Sequence, residues 1–154
     1  MSAERVNFHG TAIVIGKTGL LFVGPSGSGK SELAFSFLTE AERCGLQASL
    51  VADDQIFLSL RDGEILAERP KSIAGLMELR GSGIVEVASV ASATLHYAIT
   101  PVPHVDSPRL PPENEWLELP VGSRLPLIRI PLSSITPYGK FAALAQNLFK
   151  AKGM

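Results

Sequence analysis

Cysteine is almost missing from this sequence of 154 residues, and long apolar runs are missing altogether. Cys44 stands alone, which rules out an intrachain disulfide and a thiolate zinc site and is typical of a reducing compartment. No apolar run approaches the roughly 18 residues of a membrane-spanning helix. The first ten residues, MSAERVNFHG, also lack the hydrophobic centre of a signal peptide. The sequence therefore predicts a cytoplasmic protein with no membrane segment.

An excess of charge of either sign is missing as well. Fourteen basic residues stand against fifteen acidic ones, for a net charge of -1. No overall basic field would attract nucleic acid or an anionic membrane, so any phosphate must be bound locally. A hydrophobic fraction of 45% and a mean hydropathy of +0.22 argue against disorder, and the length fits one domain over residues 1–154.

The pattern of apolar residues predicts a mixed α/β domain. Nine of the eleven prolines fall between residues 101 and 137, which predicts loops and extended edges there rather than helix. Helices are expected at Lys30–Arg43, Lys71–Met77 and from Pro137 onward. Strands are expected at Thr11–Ile15, Leu20–Val23, Ala48–Ala52, Gln55–Leu60, Glu64–Ala67, Ile84–Ala88, Ala93–Thr100 and Leu127–Ile130.

A phosphate-binding motif lies between the second predicted strand and the first predicted helix. Gly24-Pro25-Ser26-Gly27-Ser28-Gly29-Lys30-Ser31 matches GxxxxGK[ST]. In this motif backbone N–H groups surround phosphate oxygens, and the positive end of the helix faces the anion. Lys30 would neutralise the β- and γ-phosphates, and the Ser31 hydroxyl would bind magnesium. A chance match is rare, on the order of one in a few hundred chains of this length. We therefore interpret the segment as a nucleotide site rather than a Gly/Ser turn.

Two acidic residues, Asp53 and Asp54, follow a buried strand and could complete such a site. Catalytic groups commonly lie at the ends of strands in open α/β sheets. One carboxylate could accept the proton of an acceptor hydroxyl while the other supports a metal ion. The alternative is an Asp-Asp turn that only begins the next hairpin. The residue pattern does not decide which of the two would be the base.

Glu78 and the three histidines carry weaker signals. Glu78 and Arg80 precede the turn Gly81-Ser82-Gly83, where a carboxylate could reach a metal ion already held by phosphates. Taken alone, Glu78 would be a surface acid. Taken alone, His9, His96 and His104 are more typical of structural histidines.

Three segments together resemble the catalytic domain of bacterial HPr kinase/phosphorylase. They are GPSGSGKSE at 24–32, LVADD at 50–54 and ELRGSGIVEV at 78–87, and the last is similar to the family signature, approximately EIRGLGIIDV. Weaker similarity includes His9-Gly10 and DSPRL at 106–110, near a family Asp-Arg-Leu-Gly element. The resemblance covers about residues 5 to 131 and is densest from 20 to 90.

This resemblance implies a protein-serine kinase that uses ATP and magnesium to phosphorylate HPr, the small phosphocarrier of the sugar phosphotransferase system, on a regulatory serine. It implies a homo-oligomer and a mixed, bent sheet around the phosphate loop, like that of phosphoenolpyruvate carboxykinase. Carried over by position, the implied roles are general base for Asp53, orientation of that base for His9, charge stabilisation for Lys30 and Arg109, and magnesium binding for Ser31 and Glu78.

Two departures from the family modify these expectations. Only about two dozen residues precede the loop, so we expect a short form without the usual N-terminal domain. Family members that also remove the phosphate carry a Pro-Gly-Arg-Asn-like segment before the last helix. The matching stretch here, PLSSITPYGK at 131–140, has Lys140 as its one basic residue. We therefore expect weak or absent reverse activity.

Proteins with two other functions also carry a phosphate loop of this kind. A small-molecule or nucleotide kinase should carry an arginine-rich lid, yet the proline-rich region offers only Arg109, Arg124 and Arg129. An ATP-sensing module that binds without turnover would need no base, and Asp53 argues against it.

Overall fold

The computed structural model describes the backbone of residues 4–71, 74–103 and 114–151, with side chains as far as residue 146. The elements in chain order are β1 (Val6–His9), β2 (Thr11–Ile15), β3 (Thr18–Phe22), α1 (Lys30–Arg43), β4 (Ala48–Ala52), β5 (Gln55–Arg61), β6 (Glu64–Glu68), β7 (Leu76–Leu79), β8 (Gly83–Glu86), β9 (Ser92–Val102), β10 (Trp116–Leu119), β11 (Ser123–Pro131) and α2 (Pro137–Ala151). Within these ranges no helix is both long and apolar enough to cross a membrane.

Nine of the strands form one mixed sheet. Its order is β1-β5-β6-β9-β3-β2-β4, with β11 also paired to β9 and β10 paired to β11. The β3–β9 and β9–β11 pairs are parallel, and the remaining pairs are antiparallel. The β7–β8 hairpin forms a separate two-stranded sheet. The expectation of a mixed sheet around the phosphate loop is confirmed.

Alternate residues of the central strands enter two different cores, because successive side chains of a strand point to opposite faces. Ile13, Leu20 and Ile99 pack with the helices, where Phe22 and Phe37 meet edge to face at 5.1 Å. Their strand neighbours, such as Leu21 and Ala98, join a second buried cluster on the opposite face. Strand β5 contributes Ile56 and Leu58 to this second cluster only.

The first helix fixes the second through a carboxylate. Glu40 of α1 accepts hydrogen bonds from the backbone N–H groups of Tyr138 and Gly139, at 3.0 and 2.8 Å, in the first turn of α2. These N–H groups have no partner within their own helix, and the carboxylate also complements the positive end of the helix. Burial raises the pKa of the Tyr138 hydroxyl, with a smaller contribution from the negative charges of Cys44 and Glu40.

Two chain corners meet where the sheet bends. Gly10 joins β1 to β2, and the pair Asp53-Asp54 joins β4 to β5. The N–H of Gly10 donates to the carbonyl oxygen of Asp54 at 3.0 Å, which holds the corners together. His9, directly before the first corner, and Asp54, within the second, are thereby brought into contact.

Most predicted elements are confirmed, with three differences. The prediction of a helix at Lys71–Met77 is wrong for Leu76 and Met77, which begin strand β7. Met77 is fully buried and both of its neighbours are exposed, and burial of every second residue is typical of a strand. The short strand at Leu127–Ile130 is part of the nine-residue β11. Strands β1 and β10 were not expected, because four residues give too short a pattern to recognise.

Candidate active site

The phosphate-binding motif forms a loop between β3 and the first turn of α1, as predicted. Gly27 and Gly29 have φ angles of 81° and 98°, a left-handed region in which side chains are strained. The loop also places the Ser28 hydroxyl in a buried position with no hydrogen-bond partner among the described residues. Of the other residues of the loop, those from Ser26 to Ser31 line a cleft at the N-terminus of α1, where an anion is favoured. The loop geometry therefore suits a phosphate.

Lys30, the first residue of α1, is 5% exposed and is held by three acceptors. Its Nζ donates to the carbonyl oxygens of Gly24 and Pro25 at 3.0 and 3.3 Å, and it lies 3.2 Å from the Nε2 of His9. A lysine ammonium has three donors and no acceptor, so the His9 Nε2 is the acceptor in this contact. The positive charge is thus fixed directly beneath the loop.

His9 also contacts Asp54, so Lys30, His9 and Asp54 form a line of contacts. With Nε2 accepting from Lys30, a neutral imidazole carries its proton on Nδ1, and that atom lies 3.3 Å from Asp54 Oδ1. The Asp54 side chain is 61% exposed, and its backbone has a φ of 73°. Non-glycine residues rarely adopt this conformation, and such residues concentrate at functional sites. Asp54 is therefore an accessible carboxylate with a histidine behind it.

Asp53 differs from Asp54 in that both of its carboxylate oxygens accept hydrogen bonds within the protein. Its Oδ1 accepts hydrogen bonds from Thr11 Oγ1 at 2.9 Å and from Ser31 Oγ at 2.6 Å. Its Oδ2 accepts from the backbone N–H of Glu78 at 3.3 Å. The carboxylate therefore ties together β2, the start of α1 and the β7–β8 hairpin.

The β7–β8 hairpin closes one side of the cleft. Arg80 lies over the loop, close enough that a Cβ added to Gly27 would stand 3.0 Å from its Nη1. Glu78 and Arg80 line, with the loop and both aspartates, a cleft of about 210 Å³. The described lining includes two basic side chains, Lys30 and Arg80, against four acidic ones, Glu32, Asp53, Asp54 and Glu78.

This set of groups fits a phosphate that arrives with a divalent cation. Among the described residues, no three His, Cys, Asp or Glu side chains converge to hold a metal ion. The hydroxyl of Ser31 and the carboxylates of Asp53 and Glu78 are, however, the oxygen donors that magnesium prefers, and phosphate oxygens would complete its shell. The excess of acidic groups in the cleft would otherwise repel a polyphosphate.

The structure brings together nearly all of the residues proposed from the sequence. Most of the loop from Ser26 to Ser31, both aspartates and Glu78 line one cleft, and His9 contacts two of its lining residues, Lys30 and Asp54. His9 contacts Asp54 and Lys30, whereas the resemblance places it beside Asp53. Arg109 lies outside the described residues. Thr11, which is fully buried and bonded to Asp53, was missed because it reads as one more β-branched strand residue.

Comparison with known proteins finds relatives that align with nearly the whole chain. The family model described as the HPr serine kinase C-terminal domain matches residues 1–96, which include every site residue named above except Arg109. The HPr kinase/phosphorylase of Streptococcus thermophilus is 32% identical over 163 aligned positions, covering 99% of this chain and 50% of that protein. The HPr kinase/phosphorylase of Clostridium beijerinckii is 29% identical over 140 positions, covering 84% and 44%.

A solved structure extends the similarity to the fold. The Hpr(Ser) kinase/phosphatase from Coxiella burnetii superposes with a TM-score of 0.74 at 25% identity, covering 97% of this chain and 99% of that one. The chain spans about half the length of the curated relatives that it matches. With more than half of its residues matched by the family model, the chain belongs to the HPr serine kinase C-terminal domain family.

Proposed function

We propose that this chain is a protein-serine kinase domain that transfers a phosphoryl group from ATP to a serine of HPr, with magnesium as cofactor. The observation that carries the proposal is the line of contacts Lys30–His9–Asp54 beside the phosphate loop, within a chain of this family. We further propose, from the family resemblance, that the domain acts in the cytoplasm as a homo-oligomer. Family membership favours this function over a small-molecule kinase or an ATP-sensing module.

Each side chain of the cleft has a proposed role. When bound, ATP supplies the phosphoryl group, and magnesium neutralises part of its charge. Ser31 and Glu78 hold the metal ion, and Asp53 orients Ser31 by accepting its hydroxyl proton in a hydrogen bond. Lys30 and the N–H groups of the loop stabilise negative charge, and Arg109 adds a second cation.

For the general base, the contacts favour Asp54 over Asp53. A base must have a free oxygen within reach of the hydroxyl whose proton it accepts. Asp53 accepts three hydrogen bonds from the protein, whereas Asp54 is exposed to the cleft. His9 donates through Nδ1 to Asp54, which fixes the carboxylate without occupying both of its oxygens.

The reverse reaction, phosphorolysis by inorganic phosphate, is proposed to be weak. It requires a second phosphate next to the first, and arginine is the usual clamp for such repelling anions. The stretch 131–140, which runs into the first turn of α2, has Lys140 as its one basic residue, and the Nζ of Lys140 already donates to Ser134 Oγ at 3.0 Å.

The direct test is to incubate the purified chain with labelled ATP, magnesium and HPr, and to locate the label by mass spectrometry. We expect one labelled serine, and none in an HPr variant with alanine at that serine. Phospho-HPr with inorganic phosphate should release little pyrophosphate. Label on a small molecule instead of HPr would overturn the proposed substrate, and rapid pyrophosphate release would overturn the proposed bias toward the forward reaction.

A further inference from the structure

Strand β9 changes partners halfway along one of its edges. Its ladder with β6 ends at Leu95, opposite Ile65, and its ladder with β11 begins at Ala98, opposite Leu127. Neither ladder includes His96 or Tyr97. The sheet therefore splits at this point, because β11 turns away from β9 to pair with β10.

The opposite edge of β9 carries a bulge at the same place. Gly19 of β3 pairs with Leu95, and the next residue, Leu20, pairs with Tyr97, so His96 is the extra residue. Bulges are rare between parallel strands and commonly redirect a side chain near a functional site. Here the His96 ring turns back, and its Nδ1 accepts the N–H of Gly19 at 3.0 Å. A Cβ on Gly19 would overlap the Thr94 carbonyl, so this close approach needs glycine.

A crevice of about 390 Å³ opens at the split. It lies at the beginning of β3, whereas the phosphate loop follows the end of that strand, and the two cavities have no lining residue in common. Its volume is within the range of roughly 300–1,000 Å³ that small-molecule sites occupy. The crevice is therefore a second cavity, separate from the candidate active site.

The lining of the crevice combines apolar walls with a few convergent polar groups. Ile65, Leu95 and Leu125 supply apolar surface. The guanidinium of Arg124 lies 4.2 Å from the centre of the Trp116 ring, so the crevice is lined by a cation stacked on an aromatic face. The ion pair of Arg124 with Glu118 is long, at 4.0 Å, and largely exposed, so the guanidinium remains available to a ligand.

The donors of the crevice match a carboxylate. A guanidinium binds a carboxylate through two parallel hydrogen bonds. Since His96 Nδ1 accepts from Gly19, a neutral ring has its proton on Nε2, which makes that atom a second donor. Glu64 also lines the crevice and would repel a ligand with several negative charges. A ligand with a single negative charge and an apolar body would bind these donors and would be repelled least by Glu64.

We propose that the crevice at the split of β9 binds a small carboxylic acid with an apolar or aromatic body, with Arg124 as the main anchor. Trp116, the one tryptophan of the chain, lines the crevice and provides a built-in fluorescent reporter. Benzoate is a suitable probe, and benzyl alcohol is its uncharged counterpart. We expect a saturable change in Trp116 emission with benzoate and none with benzyl alcohol.

Two variants should shift the benzoate midpoint in opposite directions. Arg124→Gln should weaken binding about tenfold or more, because it removes a charged bidentate partner. Glu64→Gln should strengthen binding roughly two- to fivefold, because it removes a repelling charge. Arg43→Gln, at the exposed end of α1, is the matched control and should leave the midpoint unchanged. The midpoint is the measured quantity because Arg124→Gln alters the resting emission of Trp116.

Several results would overturn the proposal. They are a change that does not saturate, an equal response to benzyl alcohol, midpoints that do not move in Arg124→Gln and Glu64→Gln, and loss of benzoate binding in Lys30→Ala. The last result would mean that benzoate occupies the phosphate cleft. The amide signal of Gly19, followed by NMR, gives a second reading at the crevice itself, since this N–H is bonded to His96.

Discussion

The Nδ1 of His9 lies 3.3 Å from the Oδ1 of Asp54, although 45 positions separate the two residues in the chain. The contact depends on the joined corners of the sheet, where the Gly10 N–H donates to the Asp54 carbonyl oxygen. It gives the two aspartates different surroundings: Asp54 faces the cleft with a histidine behind it, and Asp53 is bonded to Thr11, Ser31 and Glu78.

The two aspartates should therefore respond differently to substitution. Asp54→Asn should lower phosphoryl transfer by roughly 10²–10⁴-fold with ATP affinity retained, because an amide cannot accept the serine proton. Asp53→Asn should instead weaken magnesium binding and lower thermal stability, since its amide nitrogen would replace an acceptor oxygen. Steady-state kinetics, ATP titration and thermal unfolding measure these effects. Full transfer by Asp54→Asn, with Asp53→Asn inactive at saturating magnesium, would assign the base to Asp53.

Lys30→Ala should abolish phosphoryl transfer while the chain remains folded. The substitution removes the cation beneath the loop and the donor that His9 Nε2 accepts from, so both phosphate binding and the His9–Asp54 contact lose support. Activity assays with circular dichroism separate loss of function from unfolding. Lys17→Ala, in the exposed turn between β2 and β3, is the control. Near-normal transfer by Lys30→Ala would mean that the loop is only a structural turn.

Glu78→Gln should raise the magnesium requirement more than the ATP requirement, because an amide oxygen holds a hard divalent cation less well than a carboxylate. The contact of Glu78 with Asp53 uses the backbone N–H and should persist. Excess magnesium should therefore restore part of the activity. Glu86→Gln, on the other strand of the same hairpin, should match the wild type. A defect that magnesium leaves untouched would argue for a positioning role.

The ion pair between Glu115 and Arg129 should make the free energy of unfolding depend on pH. Two hydrogen bonds of 2.7 and 3.0 Å from Arg129 lower the pKa of the Glu115 carboxyl below its ordinary value. Because the folded pKa is the lower one, this stabilisation is present above the ordinary carboxyl pKa and is lost as the pH falls through the lowered value. Glu115→Gln should cost about 1–2 kcal/mol at neutral pH and much less in acid.

Denaturant unfolding of Glu115→Gln at several pH values checks this dependence. Glu118→Gln is a suitable control, because its pair with Arg124 is 4.0 Å long and exposed. If both substitutions cost the same at neutral pH, the Glu115–Arg129 pair contributes no more than a surface ion pair.

Local sequence patterns were sufficient to predict those helices and strands whose apolar residues repeat regularly. Helix α1 begins at Lys30 and ends at Arg43, as its apolar spacing and the following glycine predict. The end of the helix predicted at Lys71–Met77 was wrong because Met77 owes its burial to contacts with distant elements, which no local window contains. The split of β9 was likewise invisible, since a single continuous strand gives no sign of which partner each of its edges will take.

By itself the sequence determined the phosphate loop, because glycines, Lys30 and Ser31 act through neighbouring backbone and need only the strand and helix that flank them. The sequence also identified both aspartates as candidate catalytic residues, but it did not show which one is the base. Only the tertiary structure decided which carboxylate is exposed, which one binds Ser31, and that His96 and Arg124 line one crevice. Those relations join residues from separate strands, and the hydrogen bonds that bring such strands together connect positions far apart in the chain.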